Sequence, residues 1–294
     1  MVSNERSFIV AQSARIDYFR ASTTDISKIN TMVKGYFSDA NTEPVKIPLY
    51  GYARTVRNTD SSAFYCFNPH TATMGNLVQF SGSPISHLMA QTHLSSFKAI
   101  ASTGCADWKV TRLDVAIDYF DETLTMDAIH ARIKEQRYKS KIRIWKREKE
   151  EIAGGMDIIR GGGKEALKSM KIYDKAAEQH LDMKWIRLEM TFMDARAREV
   201  WKKVSELSTD EDLLVFAKAL MATIIDFTDW PEWQSAFGVG SKHEWTEIPR
   251  TESDTWRWLL RQVAPAFQKD FHDTGDWTML EKFVEAVKQS MSSD

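Results

Sequence analysis

Two aspartates on one predicted strand are the residues of this sequence best placed to do chemistry. Residues 111–118 alternate so that Asp114 and Asp118 share one face, while aliphatic side chains occupy the other. Carboxylates are uncommon in strands, so two on one face indicate a use such as binding a divalent metal ion. A strand separates residues four apart by roughly 13 Å, so one ion cannot contact both directly. Asp114 is the first candidate ligand and Asp118 the second.

Two further predicted strands carry groups that complete a site for phosphate chemistry. Glu189 and Arg187 share the polar side of an otherwise apolar alternating strand, and Lys171, Tyr173 and Lys175 share one side of another. If the three strands join one sheet, a tyrosine, carboxylates and cations meet on one face. Phosphoryl transfer on DNA needs this combination of a nucleophile, metal ligands and phosphate-binding groups.

Each of these residues also has a purely structural interpretation. Asp114 can be a surface residue in a salt bridge, with Arg112 or Arg187 as its partner. Tyr173 can be an amphipathic sheet residue whose hydroxyl reaches the rim, and Lys175 can pair with a neighbouring carboxylate. The functional interpretation requires the three polar faces to converge.

A basic segment lies between the strand that carries Asp114 and the strand that carries Tyr173. From Arg132 to Lys149 it contains nine lysines or arginines against two glutamates. Residues 139–148 alternate as a strand, and its basic, Trp-bearing face is suited to contact phosphates and stack a base. The alternatives are a solvated edge strand and a surface for unpaired RNA. The predicted DNA-binding residues are Arg132, Arg137, Lys139, Lys141, Arg143, Trp145, Lys146, Arg147, Arg160, Lys164 and Lys171.

The histidines and cysteines restrict the kind of metal that the protein can bind. The seven histidines form no pair at metal-ligand spacing, and two cysteines are too few for a zinc ribbon. Any metal ion is therefore expected on oxygen ligands, which Mg²⁺ and Mn²⁺ prefer. Cys66 and Cys105 are expected to be free thiols in a reducing cytoplasm.

Composition narrows the class of protein without naming it. The chain has 294 residues, 43% of them hydrophobic, and a formal net charge of −2, so nucleic-acid binding must depend on a local basic patch. We find no signal peptide, and the longest apolar run, residues 213–225, is too short to span a membrane. We expect a cytoplasmic protein with no membrane partner.

The elements that position these residues indicate an α+β fold. Strands and helices alternate to about residue 193, as in antiparallel sheets with helices packed on one face, and the later sequence has helical spacing. We therefore divide the chain into an α+β core, residues 1–204, and a helical C-terminal region, residues 205–294. The pattern also predicts one helix over residues 85–102 and a flexible glycine connector at 161–163.

The order of four short motifs resembles the replication initiation factor family. They are Ser81-Gly82, the strand 111–118, Ile-Tyr-Asp-Lys at 172–175 and Trp-Ile-Arg-Leu-Glu at 185–189, within a match over roughly residues 14–204. The family contains the rolling-circle initiators of small plasmids and filamentous phages and related relaxases.

The resemblance implies a two-lobed sheet core, a tyrosine that attacks a DNA phosphate, and a divalent metal ion on acidic residues. Asp114 and Glu189 match the family's strand aspartate and its glutamate, and Tyr173 and Lys175 match its Tyr-Asp-Lys motif. The implied partners are DNA, as an origin hairpin or a single strand, and a host helicase. Whether the protein is a homodimer stays open.

One departure from the family pattern leads to two hypotheses about function. Family members place a Tyr-x-Gly-Ser-Arg string about a dozen residues before Tyr-Asp-Lys, whereas here the tyrosine position falls on Ile159 or Arg160. The first hypothesis is an initiator in which Tyr173 is the nucleophile and leaves a 5′-phosphotyrosine link. The alternative is a catalytically inactive DNA-binding relative that acts as a regulator or host-interaction protein of a mobile element.

Overall fold

The structure is a computed structural model that describes residues 12–149, 155–163, 166–238, 240–248, 256 and 259–291. Its centre is one antiparallel sheet of ten strands in the order β2-β3-β4-β5-β1-β6-β10-β9-β8-β7. The strands are β1 Gln12–Thr23, β2 Thr42–Pro44, β3 Tyr52–Asn58, β4 Phe64–Pro69, β5 Asn76–Phe80, β6 Lys109–Tyr119, β7 Trp145–Lys149, β8 Asp157–Gly161, β9 Lys168–Asp174 and β10 Ile186–Met193.

Helices connect and cover these strands. They are α1 Ile26–Tyr36, α2 Gly82–Thr92, α3 Ser96–Ile100, α4 Met126–Lys134, α5 Lys175–Glu178, α6 Asp194–Val204, α7 Asp210–Met221, α8 Pro231–Phe237, α9 Ala264–Thr274 and α10 Thr278–Met291. Helix α7 begins at a capping box in which Thr209 and Asp212 bond to each other's backbone N–H groups. No described helix is long and apolar enough to cross a membrane.

The core lies between the apolar face of the sheet and the helices that cover it. Val115, Ile172 and Leu188 come from β6, β9 and β10, and each is at most 1% exposed. Helix α6 contacts β6 and β10, and α7 contacts β1 and β6. The rings of Phe19 on β1 and Trp201 on α6 lie 4.7 Å apart. The predicted α+β class, with helices packed on antiparallel strands, is therefore confirmed.

The described residues group into two compact units, one up to Glu244 and one from Trp245 onward. In the first, α7 packs on the central strands and α8 accepts a hydrogen bond from Gln12 of β1 at 2.9 Å. In the second, Phe271 stacks on Trp277 with centroids 4.4 Å apart. The division of the chain at residue 204 stays a prediction.

Two predicted elements differ in the structure. The helix expected over 85–102 is interrupted at His93, whose left-handed φ of 57° ends α2 before α3 begins. The basic strand expected over 139–148 exists only as β7. Before it, the Ser140 hydroxyl donates to the Ile224 carbonyl and accepts from the Ile142 N–H. Such side-chain bonds to backbone groups compete with strand pairing.

The glycine connector expected at 161–163 also has more structure than predicted. Gly161 is the last residue of β8 and pairs with Trp145 of β7. A Cβ on Gly161 would lie 2.5 Å from the Trp145 ring, so only glycine allows this close approach. Gly161 therefore allows β7 and β8 to pack closely. The run of three glycines resembles a connector, although its first residue is the end of a strand.

Candidate active site

Strands β6, β10 and β9 are neighbours in the sheet, so their polar faces converge as the sequence hypothesis requires. Arg187 on β10 pairs in register with Asp118 on one side and Tyr173 on the other, and Glu189 pairs with Lys171. Asp118, Arg187 and Glu189 are each at most 5% exposed. Charged groups so deeply buried must be paired, and their partners determine what the site can do.

Glu189 joins a lysine to the tyrosine. Its Oε1 accepts from Lys171 Nζ at 2.5 Å and its Oε2 accepts from the Tyr173 hydroxyl at 3.2 Å. Burial alone would raise the pKa of Glu189, but Lys171 and the hydrogen bonds outweigh it and lower the pKa. Burial and the charge of Glu189 raise the pKa of Tyr173. The site therefore holds an ionised Glu189 carboxylate that is hydrogen-bonded to the neutral phenol of Tyr173.

Asp114 is bound from its own strand. The Arg112 guanidinium donates to both Asp114 oxygens, at 3.0 and 2.6 Å, so the salt-bridge partner considered from the sequence is Arg112. Burial raises the pKa of Asp114 to about 6, against the opposing effect of Arg112 and with a further increase from Glu189. Asp114 and Glu189 thus affect each other across the sheet.

Asp118 and Arg187 form a second buried network. Arg187 donates to both Asp118 oxygens, at 2.7 and 2.9 Å, and to Asp17 of β1 at 2.9 Å. The Trp185 indole N–H donates to Asp118 at 2.6 Å. The oxygens of Asp118 are therefore already engaged by an arginine and a tryptophan beneath the site.

A cavity of about 410 Å³ opens over this polar face. It brings together six of the predicted site residues, namely Asp114, Arg160, Lys171, Tyr173, Lys175 and Glu189. Lys175 at its rim forms an ion pair with Glu178, as considered from the sequence, and its Nζ lies 5.7 Å from the Tyr173 ring centroid. Asp118 and Arg187 do not line the cavity.

The structure adds cavity residues that sequence reasoning missed, chiefly Asp17, Tyr18 and Arg112. The pairing of β1 with β6 shifts by one residue between Ile16 and Tyr18, and such a bulge redirects side chains. The signal available in the sequence was the polar pair Asp17-Tyr18 within a predicted strand. The register shift itself depends on β6 and could not be read from β1.

The structure distinguishes the two positions proposed for the family tyrosine. Ile159 is 1% exposed and pairs with Ile172 in the apolar layer. Arg160 pairs with Lys171, lines the cavity and donates to Glu148 at 3.2 Å. A tyrosine at position 160 would face the cavity, and here an arginine occupies that position.

The oxygen donors of the cavity are consistent with a hard divalent cation. Among the described residues no group of three or more His, Cys, Asp and Glu side chains forms a metal cluster. Mg²⁺ characteristically uses one or two carboxylates and completes its shell with water and substrate phosphate. Asp114 and Glu189 match that donor set, since both are oxygen ligands that line one cavity.

The other predicted DNA-binding residues that the structure describes lie away from the cavity, and several are in ion pairs. Arg132 and Arg137 both bind Asp229, and Arg147 binds Asp127 and Asp157. These pairs neutralise part of the positive charge that the sequence places in the basic segment.

The remaining predicted contacts lie along residues 139–146. Lys139 pairs with Asp226 in an isolated bridge, and Lys141 and Arg143 line a separate, largely apolar cavity of about 480 Å³. The Trp145 ring contacts Gly161 and lies edge-on to Tyr138, and Lys146 pairs in register with Arg160. Lys164 lies outside the described residues.

Comparisons with known proteins agree with this architecture. A family model described as a replication initiation factor matches residues 108–282. The solved structure of a rolling circle replication initiator protein from Geobacillus stearothermophilus superimposes with a TM-score of 0.60 and 18% sequence identity. The match covers 75% of this chain and 90% of that chain, and at this identity it supports the fold alone. No curated protein sequence matches this chain significantly.

Proposed function

The chain belongs to the replication initiation factor family, and on this premise we propose that it starts rolling-circle replication by cutting one strand of an origin hairpin. Tyr173 is the proposed nucleophile, and the cavity over β6, β10 and β9 receives the scissile phosphate. The observation that carries the proposal is the hydrogen bond from the Tyr173 hydroxyl to Glu189 inside this cavity.

The proposed step exchanges one phosphate ester for another. The Tyr173 oxygen attacks phosphorus as its proton passes to Glu189, which already accepts the hydroxyl at 3.2 Å. The bond from phosphorus to the 3′ oxygen breaks, and that oxygen leaves with the bonding electrons and takes a proton from solvent. The products are a 5′-phosphotyrosine link and a free 3′-hydroxyl, the end that a polymerase extends.

Positive side chains around the cavity would stabilise the charge of the phosphate. Lys171 and Lys175 line the cavity beside Tyr173, where their ammonium groups can meet non-bridging oxygens. Arg187 pairs in register with Tyr173 and opposes the rise in the pKa of its phenol. Arg187 thus stabilises the negative charge that develops on the Tyr173 oxygen as its proton passes to Glu189.

We propose that Asp114 and Glu189 hold Mg²⁺ or Mn²⁺ at this site. A bound divalent cation would neutralise the phosphate oxygens and make phosphorus more electrophilic. Arg112 and Lys171 now occupy oxygens of these two carboxylates, so a bound metal ion would replace some of these hydrogen bonds. Asp118 was the second predicted ligand; because it does not line the cavity and its oxygens bind Arg187 and Trp185, we give it the role of orienting Arg187.

The test is incubation of the protein with a supercoiled plasmid that carries its native replicon, with Mn²⁺ or with EDTA. We expect metal-dependent relaxed circles bound covalently to protein, with the adduct mapping to Tyr173. Tyr173→Phe should form no adduct, whereas Tyr18→Phe, which removes the hydroxyl of another tyrosine lining the cavity, should retain it. An adduct on Tyr18, or nicking by Tyr173→Phe, would contradict the assignment.

A second candidate function is DNA binding without nicking, as a regulator or host-interaction protein of a mobile element. The observation in its favour is Arg160, which lines the cavity where the family tyrosine would face it. This function predicts salt-sensitive binding of origin DNA that does not depend on a divalent ion. Clean binding without an adduct, on the cognate origin and with either metal, would favour it over the initiator.

The remaining partners stay predictions. The basic segment around β7 is proposed to grip the DNA backbone through the side chains that no carboxylate neutralises. A host helicase, a homodimer and a cytoplasmic location are the other expectations, and the plasmid experiment in a cell extract with and without helicase addresses the first of them.

A further inference from the structure

We infer that a ladder of two tyrosines and two arginines on the open sheet face, Tyr18, Arg112, Tyr50 and Arg20, is a binding track for single-stranded DNA next to the cavity. The inference rests on the proposed function, because it gives the cut strand a path away from the scissile phosphate. It assigns binding roles to Tyr50 and Arg20, which lie outside the proposed catalytic machinery.

The ladder is continuous in space. The Arg112 guanidinium lies 4.0 Å from the centroid of the Tyr18 ring, and the Arg20 guanidinium lies 4.8 Å from that of Tyr50. The two tyrosine hydroxyls are 3.2 Å apart. Tyr18 and Arg112 line the catalytic cavity, while Tyr50 and Arg20 line a second cavity of about 390 Å³. The ladder therefore connects the two cavities.

The chemistry of the ladder is that of a surface for unpaired nucleotides. Aromatic rings on a sheet face stack bases, and arginines beside them bind phosphates or stack themselves. Arg20 donates to the Thr111 hydroxyl at 3.1 Å, and among the described residues it forms no ion pair. Lys109 and Asp194 also line the second cavity. With Arg20 and Lys109 against Asp194, the charged side chains at the end of the ladder away from the catalytic centre carry a net positive charge.

The contacts of Tyr50 place its ring on the open face. Tyr50 and Gly51 form a tight turn, with φ of 55° and 74°, which the Tyr52 N–H closes on the Leu49 carbonyl at 3.0 Å. Tyr50 is 45% exposed, so its ring is accessible to a ligand. Its hydroxyl donates to Gln79 Oε1 at 2.5 Å, which orients the ring.

The occupant is a single strand, because stacking on these rings requires a base whose face is free. In a duplex the faces of the bases are covered by their neighbours, and only phosphates and groove edges are accessible. The ladder should consequently prefer a single strand to a duplex of the same length, and it should do so without a divalent ion.

The test is the affinity of the full chain for a fluorescein-labelled oligothymidylate in EDTA, with a duplex of equal length as the comparison. We expect Tyr50→Asn to raise the Kd for the single strand about tenfold. Asparagine tolerates a positive φ but loses the hydrogen bond to Gln79, which Tyr50→Phe loses as well, so the two variants are compared at matched stability by denaturant titration. Weaker binding by Tyr50→Asn than by an equally stable Tyr50→Phe cannot come from misfolding.

Matched variants distinguish the contribution of the Tyr50 ring to binding from that of its hydroxyl. They also distinguish the contribution of the ladder from that of the overall charge of the protein. Tyr50→Phe should bind the single strand within about twofold of the unmodified protein, because the stacking face remains. Arg20→Gln should reduce the slope of log Kd against log salt by about 0.7. Arg198→Gln, which removes an exposed charge from α6, should leave that slope unchanged.

Three results would overturn the inference: no preference for the single strand, Tyr50→Asn binding as tightly as the unmodified protein, or Tyr50→Phe binding as weakly as Tyr50→Asn. Nicking is not measured here. Failure of the Tyr173 adduct would therefore overturn the proposed function and leave the single-strand result standing.

Discussion

At the scale of single residues, the two carboxylates of the cavity respond to burial in opposite ways. Glu189 gains enough from Lys171 and Tyr173 to keep its pKa low, whereas Arg112 does not fully offset the burial of Asp114. The difference arises from the number and placement of partners, since both side chains are almost completely buried. It leads to a pH dependence of stability in which the raised pKa of Asp114 has the larger part.

We predict that Asp114 destabilises the folded protein as pH rises. Its folded pKa of about 6 lies above the ordinary value of 3.8, so the folded state binds its proton more tightly than the unfolded state. Well below pH 3.8 both states are protonated and stability is highest; as pH rises from about 3.8 through about 6 this stability is lost, by about 3 kcal/mol in all. Asp114→Asn lacks this loss.

The measurement is the free energy of unfolding from denaturant titrations between pH 4 and 7, in EDTA, for the unmodified protein and Asp114→Asn. The difference between the two should shift in favour of the asparagine variant as pH rises. A difference that stays constant over this range would show that Asp114 does not titrate there.

We also predict that Glu189→Gln slows nicking by 10²–10⁴-fold, the usual contribution of a general base. Glutamine keeps the shape of the side chain, but its single oxygen can replace only one of the two acceptors that Lys171 and Tyr173 use, and it cannot take the proton that the attacking hydroxyl loses. Glu178→Gln is the matched control, because Glu178 lies at the rim of the same cavity and pairs with Lys175. Single-turnover nicking rates compare the two, and equal rates would remove Glu189 from the chemistry.

The alternation of charged and apolar residues was sufficient to place most of these side chains on one face. Asp114, Tyr173 and Glu189 all line one cavity because each strand buries its apolar side, and that forces the polar side to the other face. Tyr18 could not be found this way. Its direction depends on a register shift against β6, which is a property of two strands that are distant in sequence.

At the scale of elements, the edge of the sheet around β7 and β8 was the part of the fold that was hardest to predict from the sequence. The alternation over 139–148 is a genuine strand pattern, but Ser140 diverts the backbone to Ile224, far along the chain. Strand β8 was missed because its glycine end resembles a connector. In both segments the local sequence is compatible with more than one conformation, and contacts with residues distant in sequence determine which one forms.

We predict that Gly161→Ala destabilises this edge by about 1–3 kcal/mol. The added methyl would meet the Trp145 ring at 2.5 Å, which requires the ring or the strand to move. Gly163→Ala serves as the control, since a Cβ there would meet no atom of the described residues within 4 Å. Urea unfolding of the two variants measures the difference, and equal midpoints would mean that Trp145 moves aside at little cost.

At the scale of the whole molecule, the proposed catalytic residues and the ladder all belong to the first compact unit, which ends at Glu244. Helix α7 is part of that unit, with Leu213, Ala217 and Leu220 buried. The helical sequence after residue 204 therefore supplies core packing for the sheet, a role that helix periodicity alone could not reveal.

We predict that a chain ending at residue 244 unfolds cooperatively, whereas a chain ending at residue 204 does not. The shorter chain loses α7 and exposes the apolar surface of β1 and β6 that α7 covers. Urea titrations followed by tryptophan fluorescence compare the two. A cooperative transition in the shorter chain would support the domain boundary expected from the sequence.

The ion pair between Asp17 and Arg187 joins residues 170 positions apart, and it has a consequence for synthesis of the protein. During translation β1 emerges first, β6 follows from residue 109 and β10 only from residue 186. Closing such long loops is slow, so the network around Asp118 forms only after β10 has been made. A chain terminated before Arg187 would contain β1 to β9 and would lack the arginine that binds Asp17 and Asp118. We therefore expect such a truncated product to lack the completed site and, with it, the proposed activity.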